Sequence, residues 1–185
     1  MHLQPVYPVL TKRLILRPIR PDDTDAMFRY RSRDDVCRYL LFPPQTRAQI
    51  VARFADSPNE LTDEGQHLSL AVLERETGTL VGDVVLMWHS REHRAGEIGY
   101  VIHPDYSGNG YATEAGAALL RLGFDELGLH RIVGRLDARN TGSARVLERL
   151  GMRPEAHFIH NEFIKGEWTD ELVYAVLASE WRDGH

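Results

Sequence analysis

Pro104-Asp105-Tyr106-Ser107-Gly108-Asn109-Gly110-Tyr111-Ala112-Thr113-Glu114-Ala115 is the stretch on which the fold turns. A β-branched and aromatic run, Ile98-Gly99-Tyr100-Val101-Ile102, leads into it, and an apolar-periodic helix follows from about Tyr111. Gly108 and Gly110 therefore stand at a strand-to-helix turn. Glycine allows positive φ and a close approach of backbone to ligand. A helix start offers unpaired N–H groups and the positive end of a dipole. Together these make a cradle for phosphate. No Lys-Ser/Thr follows the glycines, so the turn is not a nucleoside-triphosphate loop. Gly-x-Gly-x-x-Gly is also missing, so it is not a dinucleotide fingerprint. The phosphate it would hold belongs to another kind of ligand.

Outward from this turn the periodicities give an ordered set of elements. Thr11–Ile19 reads as a first strand, and Pro21-Asp22-Asp23 opens a helix carrying Ala26, Met27 and Tyr30 on its apolar side. A second helix is predicted over Gln45–Ala55, then a polar loop over Ser57–Gln66. His67–Leu73 and Leu80–Trp88 read as strands around Glu76-Thr77-Gly78, and Gly96–His103 as the next. The helix after the glycines runs to about Leu127. A strand follows over Arg131–Leu136, a short helix over Thr141–Leu150, and two strands over Ala156–Ile164 and Trp168–Leu177. The order is β-α-α-β-β-β-α-β-α-β-β, an α/β (α+β) arrangement of about seven strands in a mixed central sheet with about four helices. No linker or repeat interrupts it. Residues 1–185 are read as a single domain, with 1–9 as an N-terminal extension.

The chain of 185 residues is 43% hydrophobic and 26% charged, as in ordinary globular proteins. A net charge of −5 argues against a general nucleic-acid binder. Of 22 basic residues only Lys12 and Lys165 are lysines. Cys37 is alone, so neither an internal disulfide nor a cysteine-based metal site is expected. The nine histidines show no ligand spacing: His89 and His93 flank a turn, and His157 and His160 lie on a strand. No metal is expected. The N-terminus lacks the features of a secretory leader and no apolar run reaches spanning length, which makes a cytoplasmic location without membrane contact the expectation. The chain is expected as a monomer or homodimer, with the final strands as the meeting place.

A second cluster, Asn140-Thr141-Gly142-Ser143-Ala144-Arg145-Val146-Leu147-Glu148-Arg149-Leu150-Gly151, also sits at a strand-to-helix junction. Asn140 is a cap candidate there. Paired with the glycine turn, it could help grip an extended phosphate-bearing ligand. With both clusters in place the chain resembles the GNAT acyltransferases, and most closely the RimJ/RimL-type N-acetyltransferases. The likeness covers nearly the whole chain, from Thr11–Pro18 through Gly96–Ile102 and Tyr106–Ala115 to Asn140–Gly151, Glu162-Phe163 and the closing hairpin.

The resemblance implies acetyl-CoA as donor and no metal. It places the pyrophosphate on the N–H groups of the turn Ser107, Gly108, Asn109, Gly110, Tyr111 and Ala112, with Thr113 also among the cofactor-binding residues. The pantetheine arm would run beside Tyr100, Val101 and Ile102, with Asn140 and Ser143 on its other side. A backbone N–H near Val101 or Ile102 would face the oxyanion. The family often has Gln or Arg where Ser107 stands, and many relatives carry a proton-donating tyrosine where Leu147 stands. Ser143 matches the serine assigned that task in the RimJ/RimL type, although a first-turn helix serine is common for capping alone. Glu162 matches a candidate base, with Glu97 on the cofactor strand as its rival; either could instead be an ordinary solvated or ion-paired acid. Glu114 reads as an acid favoured by the helix dipole, and Tyr106 and Tyr111 as packing residues. Trp88 and Tyr39-Leu40-Leu41-Phe42-Pro43-Pro44 are candidates for the acceptor groove, the latter as a lid or as ordinary packing. Cys37 is not marked as a nucleophile. The implied reaction is direct attack of an amine on the thioester in a ternary complex. The subfamily likeness favours a protein or peptide N-terminus as acceptor. A small amine remains the alternative, and so does a non-catalytic acyl-CoA sensor or structural module.

Overall fold

Leu14 and Leu16 are fully buried on either side of a less buried Ile15, the alternation that makes Leu14–Pro18 a strand with one face on a core. The computed structural model describes residues 1–183. Its strands are β1 (Val9–Leu10), β2 (Leu14–Pro18), β3 (His67–Glu74), β4 (Leu80–Ser90), β5 (Ala95–Ile102), β6 (Arg131–Asp137), β7 (Arg153–Ile164) and β8 (Glu167–Leu177). They form one eight-stranded sheet in the order β1-β2-β3-β4-β5-β6-β8-β7. All neighbours pair antiparallel except β5 and β6, so the sheet is mixed as expected. The helices are α1 (Thr24–Arg31), α2 (Asp34–Cys37), α3 (Arg47–Phe54), α4 (Tyr111–Arg121), α5 (Thr141–Arg149) and α6 (Ala178–Asp183). None of the described helices is long and apolar enough to cross a membrane.

The differences from the expected order are additions. The eighth strand is β1, two residues that pair with Leu16 and Ile15. The segment read as an N-terminal extension is packed: Leu3 is buried and bridges to Leu61, and Val9 is buried too. The extra helices are α2 and α6, both too short for a periodic pattern to show. The long helix changes type along its length, with a π turn over Leu122–Glu126. The segment Pro21–Asp23 is a 3₁₀ turn before α1.

The main core lies where α4, α5 and α6 cover one face of the sheet. Leu86, Trp88, Ile98 and Ile132 pack there against Leu119, Leu120 and Phe124. A smaller cluster, Met27, Tyr30 and Ile50, holds α1 and α3 to the other face beside Val101. Helix α5 sits hard against β6 because residue 134 is glycine: a Cβ there would lie 2.7 Å from Leu147 Cδ2 and 2.8 Å from its Cδ1. Gly134→Ala should therefore push α5 off the sheet and lower stability by about 1–3 kcal/mol, the usual range for overpacking. A denaturant midpoint measures this; an unchanged midpoint would mean that Leu147 has room to turn away.

Candidate active site

Strands β5 and β6 are parallel, but their pairing stops at Glu97↔Val133 while β5 runs on to Ile102 and β6 to Asp137. Beyond that point they splay. On its other side β5 is fully paired to β4, with Val101 opposite Asp83 and Ile102 opposite Gly82. The His103 N–H donates to the Val81 carbonyl, so odd-numbered residues of β5 turn their backbone groups toward β4. Alternation then leaves the backbone groups of Tyr100 and Ile102 facing the splay. A groove of about 1130 Å³ runs through it, bordered by the glycine turn and α4, α5, β3, β4, β7 and the segment after α2.

The glycine turn has the form its sequence predicts. Gly108 and Gly110 have φ of +82° and +80°, and Gly110 is the N-cap of α4. Glu114 in the first turn accepts from Thr11 Oγ1 at 2.6 Å, from the Arg13 N–H at 2.7 Å and from Arg13 Nε at 2.8 Å. Burial alone would raise its carboxyl, but these bonds outweigh it and hold the group below the ordinary value. Arg13 Nη1 also donates to the Asn109 carbonyl at 2.9 Å. The acid expected for its dipole effect thus also ties the start of β2 to the turn. Tyr111 is buried, lies under the Arg13 guanidinium and donates its hydroxyl to Glu74, which makes it a packing residue.

Of the positions singled out in the sequence, Tyr100, Val101, Ile102, Ser107, Gly108, Gly110, Tyr111, Ala112, Thr113, Asn140 and Ser143 all line the groove, as do Glu97 and Glu162. Asn109 does not; its side-chain amide turns back to the Tyr106 carbonyl at 3.2 Å. The Thr113 hydroxyl is buried without a hydrogen-bond partner among the described residues. Asn140 caps α5, its Oδ1 accepting from the Ser143 N–H at 3.1 Å.

Ser143 has a neighbour that the sequence does not show. Tyr100 Oη lies 2.8 Å from Ser143 Oγ and donates to the Ser143 carbonyl at 3.0 Å. Burial pushes the Tyr100 hydroxyl up to about 12, so it stays a proton donor. Tyr100 has one proton: when it goes to the Ser143 carbonyl the serine hydroxyl donates to Oη, and when it turns to Oγ the serine's own proton is free to face the groove.

The two carboxylates differ in occupation. Glu97 lies 2.9 Å from His89 Nε2. The Glu162 carboxylate makes no hydrogen bond among the described residues. Burial and the nearby Glu171, Glu97 and Asp137 push it up, against the pull of Arg135. Arg135 itself forks onto Glu171 at 2.7 and 2.9 Å, leaving Glu162 unpaired.

One expectation fails. Trp88 does not line the groove; it is fully buried in the main core. On β4 it shares the inward face with Leu86, whereas Val85 and Met87 point to the groove, and a shift of one residue along a strand reverses the face. Tyr39, Leu40, Leu41 and Phe42 do border the groove. This segment is fastened to the β7–β8 turn by Lys165, whose Nζ donates to the Cys37 carbonyl and, at 3.1 Å, to that of Arg38. Cys37 is buried and burial pushes its thiol up, as suits a packing residue. Sequence separations of 43 for Tyr100 and Ser143, and of 128 for Cys37 and Lys165, left no local signal for either contact.

This geometry can hold a long phosphate-bearing ligand from the glycine turn to the splay, in a groove that also carries the Ser143 hydroxyl and the unpaired Glu162 carboxylate. Residues 13–153 match the family model described as an acetyltransferase (GNAT) domain. "Uncharacterized N-acetyltransferase YnaD" of Bacillus subtilis is 34% identical over 173 residues, covering 94% of this chain and 98% of that protein. The spermidine N(1)-acetyltransferase of Escherichia coli is 23% identical over 170 residues, covering 92% and 89%. Among solved structures, a GNAT-family acetyltransferase from Bacillus anthracis superposes with a TM-score of 0.81 at 32% identity, over 97% of this chain and 99% of that one.

Proposed function

The chain belongs to the GNAT acetyltransferase family and is an N-acetyltransferase, and from that premise we propose that it transfers acetyl from acetyl-CoA directly to a primary amine bound beside Glu162. The residues present fit such a donor. The N–H groups of the turn over 107–112 suit a pyrophosphate. The unpaired edge of β5 suits an amide-bearing arm lying alongside it as an extra strand. Acetyl-CoA supplies the activated acetyl group as a thioester. This chain's residues supply the rest. The backbone N–H at Ile102, aimed into the splay, stabilises the oxyanion that forms as the amine adds. Glu162, directly or through one water, takes a proton from the amine. Ser143 gives its proton to the departing sulfur and is held in place for this by Tyr100. The unpaired Glu162 carboxylate in the lining of the groove carries this reading.

The resemblance to the RimJ/RimL type makes a protein or peptide N-terminus the first acceptor to test. A small polyamine is favoured by a different observation. Six acids line the groove (Asp35, Asp83, Glu97, Asp137, Glu162 and Glu171), and none lies on the wall formed by the glycine turn and α5. Asp83, Asp137, Glu171 and Asp35 are paired with Arg31, Arg139, Arg135 and Arg33, so a polycation would gain mainly from Glu97 and Glu162. The spermidine-acetylating relative supports this second acceptor. Thiol release from acetyl-CoA with a panel of N-terminal peptides and polyamines tests both. Ser143→Ala should lower kcat about tenfold or more with the working acceptor and leave the KM for acetyl-CoA nearly unchanged. Tight CoA binding with no release from any amine would make the chain a binding module instead.

A further inference from the structure

Five arginines line the groove, and three of them are engaged. Arg31 pairs with Asp83, Arg135 with Glu171, and Arg53 lies over the rings of Phe42 and Phe54. The other two, Arg145 and Arg149, make no ion pair, hydrogen bond or ring contact among the described residues. They are four residues apart on α5, hence on one face of it, and both are exposed. Their wall of the groove carries no acid to neutralise them.

Helix contacts fix their height relative to the glycine turn. A Cβ at Gly116 of α4 would lie 2.7 Å from Leu150 Cδ1 at the end of α5, so the two helices touch there. Both helices start from the same end of parallel strands. Five residues back from that contact lie Tyr111 on α4 and Arg145 on α5. Arg145 therefore stands level with the start of α4, and Arg149 one turn further along the groove.

We propose that Arg145 and Arg149 form the receptor for a phosphate monoester of the donor, the 3′-phosphate on the ribose of coenzyme A. The proposal rests on the acetyl-CoA reading. That molecule carries three phosphates. Two are joined as a pyrophosphate, and the N–H groups of the turn serve them without any cation from the sequence Ser107–Thr113. The third is a monoester, which carries about −1.5 to −2 charges at neutral pH and has three acceptor oxygens. Backbone N–H groups already spent on the pyrophosphate do not balance it. Two forked guanidiniums without other partners do. Arg13, the other arginine near the turn, is held by Glu114 and the Asn109 carbonyl and stays in its structural role. The arginines without partners thereby stand where the donor's phosphates would lie, and the unpaired Glu162 carboxylate where the amine would enter.

Calorimetric titration with CoA and with 3′-dephospho-CoA tests the assignment on the whole protein. The wild type should bind CoA about tenfold or more tightly than the dephospho form. Arg145→Ala/Arg149→Ala should lose that preference by weakening CoA alone, with dephospho-CoA affinity and melting temperature unchanged. Arg121→Ala, which removes an exposed charge outside the groove, should keep the preference. A wild type indifferent to the 3′-phosphate, or a double variant that still prefers CoA, overturns the proposal while leaving the donor reading intact. Failure of the wild type to bind either molecule overturns both.

Discussion

Glu162→Gln should lower kcat by about a hundredfold or more, the ordinary contribution of a positioned general base, with little change in the KM for acetyl-CoA. The substitution keeps the shape and removes only proton affinity, at a side chain that makes no hydrogen bond among the described residues, so folding should be unaffected. The pH profile supplies an independent check. A general base must be ionised, so kcat/KM falls as pH drops through the pKa of Glu162. Burial first, then the fields of Glu171, Glu97 and Asp137, push that pKa above the ordinary glutamate value, and Arg135 pulls it down. The acid limb should therefore lie above that of a solvent-exposed glutamate. Glu97→Gln removes one repelling charge and should move the limb to lower pH with activity retained. Arg135→Ala removes the attracting charge and should move it to higher pH. If Glu97→Gln abolishes turnover while Glu162→Gln spares it, the base is Glu97, and His89 at 2.9 Å becomes its partner.

The sequence carried most of the frame because the frame depends on local rules. Gly108 and Gly110 announced a turn with positive φ, and the apolar spacing after Tyr111 announced the helix behind it. Short elements escaped for the same reason: Asp34–Cys37 spans about one helical turn, too little for a 3.6-residue period to register. Face assignment was the weaker step. Trp88 read as a groove residue because aromatic size says nothing about which way a strand residue points; only the register with β5 decides that. At the site, Asn140, Ser143 and Glu162 were found through their place in a pattern. The Tyr100 hydroxyl, the fork of Arg135 on Glu171 and the Lys165 fastening appear only when distant segments are brought together. The gathering of Arg145 and Arg149 on a groove wall without acids is likewise a property of the fold, since acids and arginines are interspersed along the chain.

The largest loss of stability should come from Asp83→Ala. Asp83 is 5% exposed and Arg31 2%, so their ion pair is closed to water. The Asp83 carboxylate accepts from Arg31 Nη2, from Arg31 Nε at 3.0 Å and from the Tyr30 hydroxyl at 2.6 Å, and Gln45 Oε1 takes Arg31 Nη1 at 2.9 Å. Burial, reinforced by Asp83, pushes the Tyr30 hydroxyl well up, so it remains a donor throughout. Removing the carboxylate strands a buried guanidinium and a buried hydroxyl together, a loss of about 3–5 kcal/mol for such a pair. For a chain of this size that is roughly 6–20 °C in Tm. The desolvation argument makes a sharper forecast about the partner. Asp83→Ala/Arg31→Met removes both charges and should be less damaging than Asp83→Ala alone, because the unpaired charge, rather than the lost attraction, dominates the penalty. Urea denaturation of the wild type and the two variants decides it, and a single variant within about 1 kcal/mol of wild type would mean that water reaches Arg31. The effect should extend to the groove. Asp83 lies opposite Val101 in the β4–β5 ladder, on the strand whose other edge faces the splay. Loosening Asp83 releases the backing of the strand that would receive the donor's arm, so CoA affinity should fall in Asp83→Ala and recover in part in the double variant.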